Sequence, residues 1–417
     1  MKIAINNKRP LHLFEGYGVE LEYIIVDKAT LNVLPISDRL LQRAGGEIAN
    51  EISRHGMAWS NELVMHLIEI KTDGPSLSLK GLGAIFHQEV EAINHLLAAY
   101  GARLMPGAMH PWMNPYEECK LWPHEYNPIY EAYDRIFDCS GHGWANLQST
   151  HLNLPFTGDE EFAKLHAAVR IILPLLPALA ASSPIADAQK QDFLDFRMEK
   201  YRTNSIRIPS ITGWIIPEQV FSKKEYQKRI FDVMYKDIAP FDPDDILKDE
   251  WLNSRGAMSR WDRNTIEIRV IDIQEHPAAD IAILEWTVAL TQVLADELWC
   301  STEVQKSWSD LDLYHILMKV VKEGDQAIID QPEYLKIFGV EESEMTAGRL
   351  CETITSKLAA TGKISEESLQ LLEIIFRHGP LSRRILNALP ESFTRDDLYP
   401  VFEQLSDCLR DGKPFIP

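Results

Sequence analysis

Six residues on four strand-like segments carry the types and spacing that bind hard cations and handle phosphate. They are Glu20 and Glu22 in GYGVELEYIIVD, Glu62 and Glu69 in NELVMHLIEIKT, His151 in QSTHLNLPF and Glu267 in NTIEIRVID. Strand side chains alternate between faces, so Glu20 and Glu22 point the same way, as do His151 and Asn153, and Glu267 and Arg269. A carboxylate within a run such as VELEYIIV is costly to desolvate unless a cation compensates it. A lone carboxylate on an edge strand would be an ordinary surface group. Several such runs in one chain instead imply a sheet whose polar face holds cations and an anionic substrate. Glu62 lies an odd number of residues from Glu69, so a regular strand would put it on the other face. To join the site it must sit on a turn or bulge.

Basic residues accompany the acidic ones. Arg269 can neutralise charge developing on a transferring phosphoryl group; a plain salt bridge to Glu267 is the other reading. Arg207, in NSIRIPS, is a candidate for a carboxylate or phosphate. Arg255, Arg260 and Arg263 cluster in SRGAMSRWDRN, just before the Glu267 strand, and suit phosphate groups, although a solvated loop would read the same way. His110, His124, His142 and Trp144 lie in or near a stretch rich in proline and aromatic residues. They are candidates for the wall of a substrate pocket or for packing.

The elements that must position these groups are legible in part. Strands are expected over Phe14–Asp27, Leu63–Thr72, Arg103–Met109, Trp144–Pro155 and Trp261–Asp272. Helices are expected over Asp38–Arg43, Leu77–Tyr100, Asp159–Leu179, Ser222–Tyr235 and Ala278–Trp299, with Gly101 closing the second and Pro174 and Pro177 breaking the end of the third. His110–Pro128 reads as an irregular loop, and Asp192–Pro217 as a mixed segment. After Cys300 strand signals fade, and helices are expected over Leu311–Lys322, Ser343–Ala359, Glu366–Arg377 and Asp396–Leu409. The division expected is a mixed α/β catalytic core over 1–300 and a helical region over 301–417 packed on it. No Gly/Ser-rich spacer separates the two.

Composition bounds the function. At 417 residues, 45% hydrophobic and 25% charged, the chain has a globular composition. A net charge of −20 argues against nucleic acid or an anionic membrane as the main partner. It leaves room for an anionic substrate where arginine or a divalent cation reverses the local field. Five scattered cysteines without a CxxC pair, and no signal-like N-terminus, point to reduced thiols and a cytoplasmic location.

Five segments, in order, give the chain a family resemblance. GVELEYIIVD, NELVMHLIEIKT, QSTHLNLPF, LPALAASSP and NTIEIRVID resemble the motifs of the glutamate–cysteine ligase type 2 family, carboxylate–amine ligases of glutamine-synthetase-like fold. The resemblance spans roughly the first 300 residues. It departs at His151-x-Asn153, where many members have His-x-His, and at ADAQKQDFLDFRMEKYR, where the matching arginine is Arg197 or Arg202. It implies an α+β fold with a curved, mainly antiparallel sheet flanked by helices. It also implies metal ligation by Glu20, Glu22, Glu62, Glu69, His151 and Glu267. Mg²⁺ favours such oxygen ligands, and the imidazole also suits Mn²⁺. Arg269 and Glu267 are the candidate catalytic pair, and Arg207, Arg260, Arg263, Asn153 and Arg269 the candidates for ATP and substrate.

The implied reaction joins the γ-carboxylate of L-glutamate to an amine, with L-cysteine first, through an acyl phosphate made from ATP. The chain has no P-loop, no GxGxxG and no nucleophile signature, and this reaction needs none. Two other readings stay open. A metal-dependent hydrolase would use the same carboxylates without ATP. A non-catalytic homologue would bind nucleotide or amino acid, or serve as a partner-binding scaffold. For the C-terminal helices, covering the core or forming a subunit contact are the two roles open.

Overall fold

The computed structural model describes residues 9–417. Its centre is an eight-stranded sheet. The strands are β1 Gly18–Asp27, β2 Glu51–Arg54, β3 Met57–Asn61, β4 Leu67–Thr72, β5 Ala102–Met105, β6 Ser149–Pro155, β7 Ala257–Arg260 and β8 Thr265–Asp272. The order is β2-β3-β4-β1-β6-β8-β7, and every pairing is antiparallel. β4 runs along one edge of β1. On the other edge β6 pairs with residues 18–21 and β5 with residues 24–27. One long strand therefore joins both halves of the sheet.

The two faces of this sheet differ in kind. Val19, Leu21, Tyr23, Ile68, Ile70, Leu152 and Ile268 share one apolar cluster with the helices. Those helices are α1 Leu82–Leu97, α2 Gly158–Ile172 and α3 Pro277–Ala295. Helix α3 is buried on almost all sides, which is why its sequence is apolar all round rather than amphipathic. It and the stretch 158–180 are apolar enough to cross a membrane by length and composition, but 89% and 94% of those windows are buried in the protein core.

Beyond residue 300 the main helices are α4 Asp310–Glu323, α5 Ala347–Ala359, α6 Glu366–His378 and α7 Arg395–Asp411. The apolar cluster runs from Val19 through these helices to Leu409 without a break at residue 300. Polar bonds add to the seam. Trp286 donates to Thr355 Oγ1 at 2.9 Å, and Tyr334 donates to the Ile171 carbonyl at 2.6 Å. Glu275 and Arg384 form a fully buried ion pair, and Arg384 also holds the Phe415 carbonyl at 2.8 Å.

The element reading holds for the long helices and for the strands of the site, with shifted ends. The expected strand Leu63–Thr72 is regular only over Leu67–Thr72, and Trp144–Pro155 only over Ser149–Pro155. Trp144 belongs instead to the short helix His142–Ala145. Pro174 does break the long helix, as a 3-10 turn over Leu173–Leu175. The hairpin β2–β3, strand β7 and the helix Asn127–Phe137 are additional to the elements expected from the sequence.

The buried pair makes the docking of the C-terminal region testable. Burial pushes the Glu275 carboxyl up, but the charge and hydrogen bonds of Arg384 outweigh this and hold it below the usual range. A carboxylate so lowered adds stability that is complete above its unfolded range and is lost as pH falls through its folded range. Arg384→Ala is expected to cost about 3–5 kcal/mol near neutral pH, since it strands a buried charge. Denaturant titration at several pH values should show the gap from wild type narrowing in acid.

Candidate active site

The register of the sheet sets the polar residues in rows across its other face. Ser60, Glu69 and Glu22 lie opposite one another on β3, β4 and β1. In the next row stand Ala58, Lys71, Glu20 and His151. In the third stand Gly18, Asn153, Glu267 and Met258. A Cβ on Gly18 would sit 2.9 Å from Asn153 Cβ, so glycine leaves Asn153 the room to donate to Glu20 Oε1 at 3.2 Å. A register shift in β8 between Ile268 and Ile271 falls beside Arg269. Glu62 follows directly after β3, in the connection to β4, so it escapes the strand alternation as its spacing requires.

Hydrogen bonds orient the ridge. His151 Nδ1 is 3.0 Å from Glu20 Oε2, and its Nε2 is 2.9 Å from Ser149 Oγ. Ser149 donates its backbone N–H and hydroxyl to Glu22 Oε2 at 2.7 and 3.0 Å. Ser60 donates to Glu69 at 2.7 Å, and Lys71 sits 3.0 Å from Glu69 and 2.8 Å from Glu51. Arg269 lies 3.1 Å from Glu267.

The acidic charge is not fully balanced. Burial, then the charges of Glu69 and Glu22, push the Glu62 carboxyl well above the usual range. Glu22 is raised too, by burial first, against the pull of His151. Burial also raises Glu20, but its bond and attraction to His151 win and leave it lowered. His151 is raised because Glu20 and Glu22 outweigh its burial.

Divalent cations fit this arrangement. Glu20, Glu69 and His151 present ligand atoms within 4.8 Å of one another, and so do Glu22, Glu62 and Glu69. Glu69 belongs to both groups. Glu62 has no hydrogen bond or ion pair to its carboxylate among the described residues. Five carboxylates with one imidazole are a donor set for Mg²⁺ or Mn²⁺. Glu267 stands beside the first group, 3.9 Å from His151 Nδ1.

A cavity opens on each side of the ridge. One, of about 480 Å³, is lined by Gly18, Glu20, Lys71, Gly74, Asn153, Arg263 and Thr265 among others. The second, of about 330 Å³, is lined by Glu22, Glu62, Ser149, His151, Arg197 and Arg269, with a wall of Tyr130, Tyr133, Trp144, Tyr201 and Trp251. The two share no residue, so the ridge partitions them.

The sequence-derived candidates fall into three groups. Glu20, Glu22, Glu62, Glu69, His151, Asn153, Glu267 and Arg269 converge. Arg263 lines the larger cavity, and Arg260 stands just behind, 3.9 Å from Glu267 and 3.0 Å from Asp262. Arg207 does not converge. It is exposed, donates to the Ile136 carbonyl at 2.8 Å, lies over the Phe241 ring and borders neither cavity. Arg255 is buried against Glu218, a structural pair. Of the two alternatives, Arg197 enters the smaller cavity, held by Asp272, while Arg202 pairs with Glu199.

Trp144 lines the smaller cavity, but His110, His124 and His142 do not. They bond the Leu31 carbonyl, pair with Asp38 and pair with Asp187 respectively. Lys71 in the larger cavity and Tyr133 and Trp251 in the smaller one are additional to the sequence-derived candidates. Alternation from Glu69 could have flagged Lys71; the aromatic residues carry no local signal.

The fold is glutamine-synthetase-like, and the family match reported below makes the chain a carboxylate–amine ligase. The glutamate–cysteine ligase from Francisella tularensis in complex with AMP superposes with a TM-score of 0.57, covering 97% of this chain and 90% of that one. At 14% identity the likeness is one of fold. An uncharacterized protein of Archaeoglobus fulgidus is 30% identical over 96% of this chain and 100% of its own length. A protein of Nocardioides sp., provisionally named glutamate–cysteine ligase 2-1, is 21% identical over 88% of this chain and 90% of its own. The family model of glutamate–cysteine ligase family 2 matches residues 17–402, so the chain belongs to that family.

The shared position of Glu69 gives a test of the cation site. Mg²⁺ or Mn²⁺ is expected to raise the thermal midpoint of the wild-type protein, by a stabilisation of about 2.7 kcal/mol at a hundred times its dissociation constant. Glu69→Gln should weaken ion binding at least about tenfold, as read by calorimetry.

Proposed function

We propose that the protein is an ATP-dependent ligase that joins the γ-carboxylate of L-glutamate to an amine through an acyl phosphate. L-Cysteine is the reference acceptor, from the family's name. The observation that carries this reading is the carboxylate ridge with Arg269 and a separate cavity on each side. A transfer between two anions needs that layout: a nucleotide on one side, an acid on the other, and cationic groups between them.

The larger cavity is assigned to the nucleotide, with Lys71 and Arg263 as cations for its phosphates and Asn153 holding Glu20 in place. The smaller is assigned to the acid, with Arg197 and Arg269 as cations. Mg²⁺, when bound by Glu20, Glu22, Glu62, Glu69, His151 and Glu267, would neutralise the phosphates during transfer. An oxygen of the γ-carboxylate attacks the terminal phosphorus, and the bond to the ADP oxygen breaks. Arg269 spreads the charge that develops on the phosphoryl oxygens, while Glu267 fixes the guanidinium. An amine then displaces phosphate from the acyl carbon. The chain's part is to position and neutralise, so no nucleophilic side chain is required.

Phosphate release from ATP, measured with Mg²⁺ and L-glutamate with and without an amine, tests this. Release is expected to need glutamate. Glu267→Gln and Arg269→Lys should each lower kcat by on the order of 10²–10³-fold. Turnover that ignores ATP would favour a hydrolase, and nucleotide binding without turnover a non-catalytic homologue.

A further inference from the structure

We propose that Lys71 is an internal counter-ion of the ridge that yields Glu69 to divalent ions and turns to the nucleotide phosphates, so that ions and nucleotide bind cooperatively through it. This rests on the ligase reading above and concerns the regulation of that site.

The geometry around Glu69 carries the proposal. Lys71 Nζ lies 3.0 Å from Glu69 Oε1 and 2.8 Å from Glu51 Oε2. Ser60 donates to the same Glu69 oxygen at 2.7 Å. A carboxylate oxygen offers about two lone-pair sites, so these two bonds fill Oε1. Yet Glu69 belongs to both groups of candidate ion ligands, and it bridges them by turning one oxygen to each. One bond to Oε1 must then break. The Ser60 hydroxyl is neutral, whereas Lys71 carries a full positive charge and is repelled by an ion on the same carboxylate. Glu69 is buried, so salt screens that repulsion little. Lys71 is therefore the partner that leaves.

A second position is ready for it. Lys71 lines the larger cavity together with Glu51, Gly74, Asn153 and Arg263. Glu51 is half-exposed on the edge strand β2, and it keeps the ammonium when Glu69 is released. The lysine stem is flexible and its ammonium has three donors, so Lys71 can hold Glu51 and a phosphate oxygen at once. As placed, both of its close partners are carboxylates, and a role at phosphate requires that it release one.

The coupling follows from this exchange. While Lys71 holds Glu69, its charge is spent on the ridge and withheld from the nucleotide. Once Glu69 is taken by ions, the charge serves the larger cavity. By linkage, a nucleotide that draws Lys71 away leaves Glu69 free for ions.

Calorimetry on the full chain, with Mn²⁺ and with ADP as probes, tests the exchange. Lys71→Met removes the charge and keeps an unbranched stem. With EDTA present it is expected to lower the thermal midpoint, because the buried Glu69 loses its cation, and Mn²⁺ should restore the loss. Lys71→Met should bind Mn²⁺ alone at least about fivefold more tightly than wild type. Its affinity for ADP should change less than about twofold in EDTA but fall at least about fivefold at saturating Mn²⁺. Glu51→Gln, at a half-exposed position, leaves Lys71 on Glu69 and should weaken Mn²⁺ binding about twofold or more, an effect that disappears in the double variant with Lys71→Met. Lys71→Met that binds Mn²⁺ no more tightly than wild type overturns the proposal. So does an ADP affinity that falls equally with and without Mn²⁺ or does not fall at all, and so does unchanged Mn²⁺ binding in Glu51→Gln. Each of these leaves the ligase reading standing. A wild-type protein that binds neither Mn²⁺ nor ADP overturns both.

Discussion

Four carboxylates on one face of the sheet, with Glu62 in the adjoining connection, repel one another, and the structure is organised around that repulsion. Glu22, Glu62 and Glu69 approach closely enough to share one ion, and Glu69 is also within reach of the group with Glu20 and His151. Side-chain cations relieve only part of the charge. Lys71 is drawn to Glu69 and Glu51, and Arg269 to Glu267, while the Glu62 carboxylate is left to burial and its acidic neighbours. An arrangement that is unfavourable alone becomes favourable when divalent ions bind, and this is how a site stores affinity for them.

The same asymmetry explains why the cavities exist. Helices cover the face bearing Val19, Leu21 and Ile70, where burial of apolar surface drives packing. No apolar helix can cover a row of carboxylates, so that face stays open to ligands. The antiparallel register then matters more than any single residue. Glu22 opposite Glu69, and Glu20 opposite His151, follow from pairing β1 with β4 and β6, and a slip of one residue would turn all of them into the core.

Much of this was legible along the chain, and the limits have physical causes. Alternation alone paired Glu20 with Glu22, and the odd spacing of Glu62 from Glu69 required the turn that the structure contains. Strand β7, four residues in AMSR, is too short and too mixed for a period-two signal, and β2 is an edge strand of alternating exposure. Arg207 failed for another reason. A long flexible side chain can reach any of several acceptors, and nothing local says that the Ile136 carbonyl and Phe241 ring would claim it. The aromatic wall is assembled from three separate stretches of chain, so only the tertiary fold brings Tyr133, Trp144 and Trp251 together.

The C-terminal helices reach the site without lining it. Among the described residues, none beyond Arg269 borders either cavity. Yet the end of α4 accepts backbone hydrogen bonds from Leu194 at 3.1 Å and Asp195 at 3.0 Å, through the carbonyls of Lys322 and Val321. Asp195 in turn caps the short helix Phe196–Tyr201 that carries Arg197 and Tyr201. The guanidinium in the smaller cavity is thus aimed by a segment that the C-terminal region fixes from behind. Packing remote from the smaller cavity therefore sets the position of one of the two guanidinium groups that line it, because a buried arginine is only as well placed as the backbone beneath it.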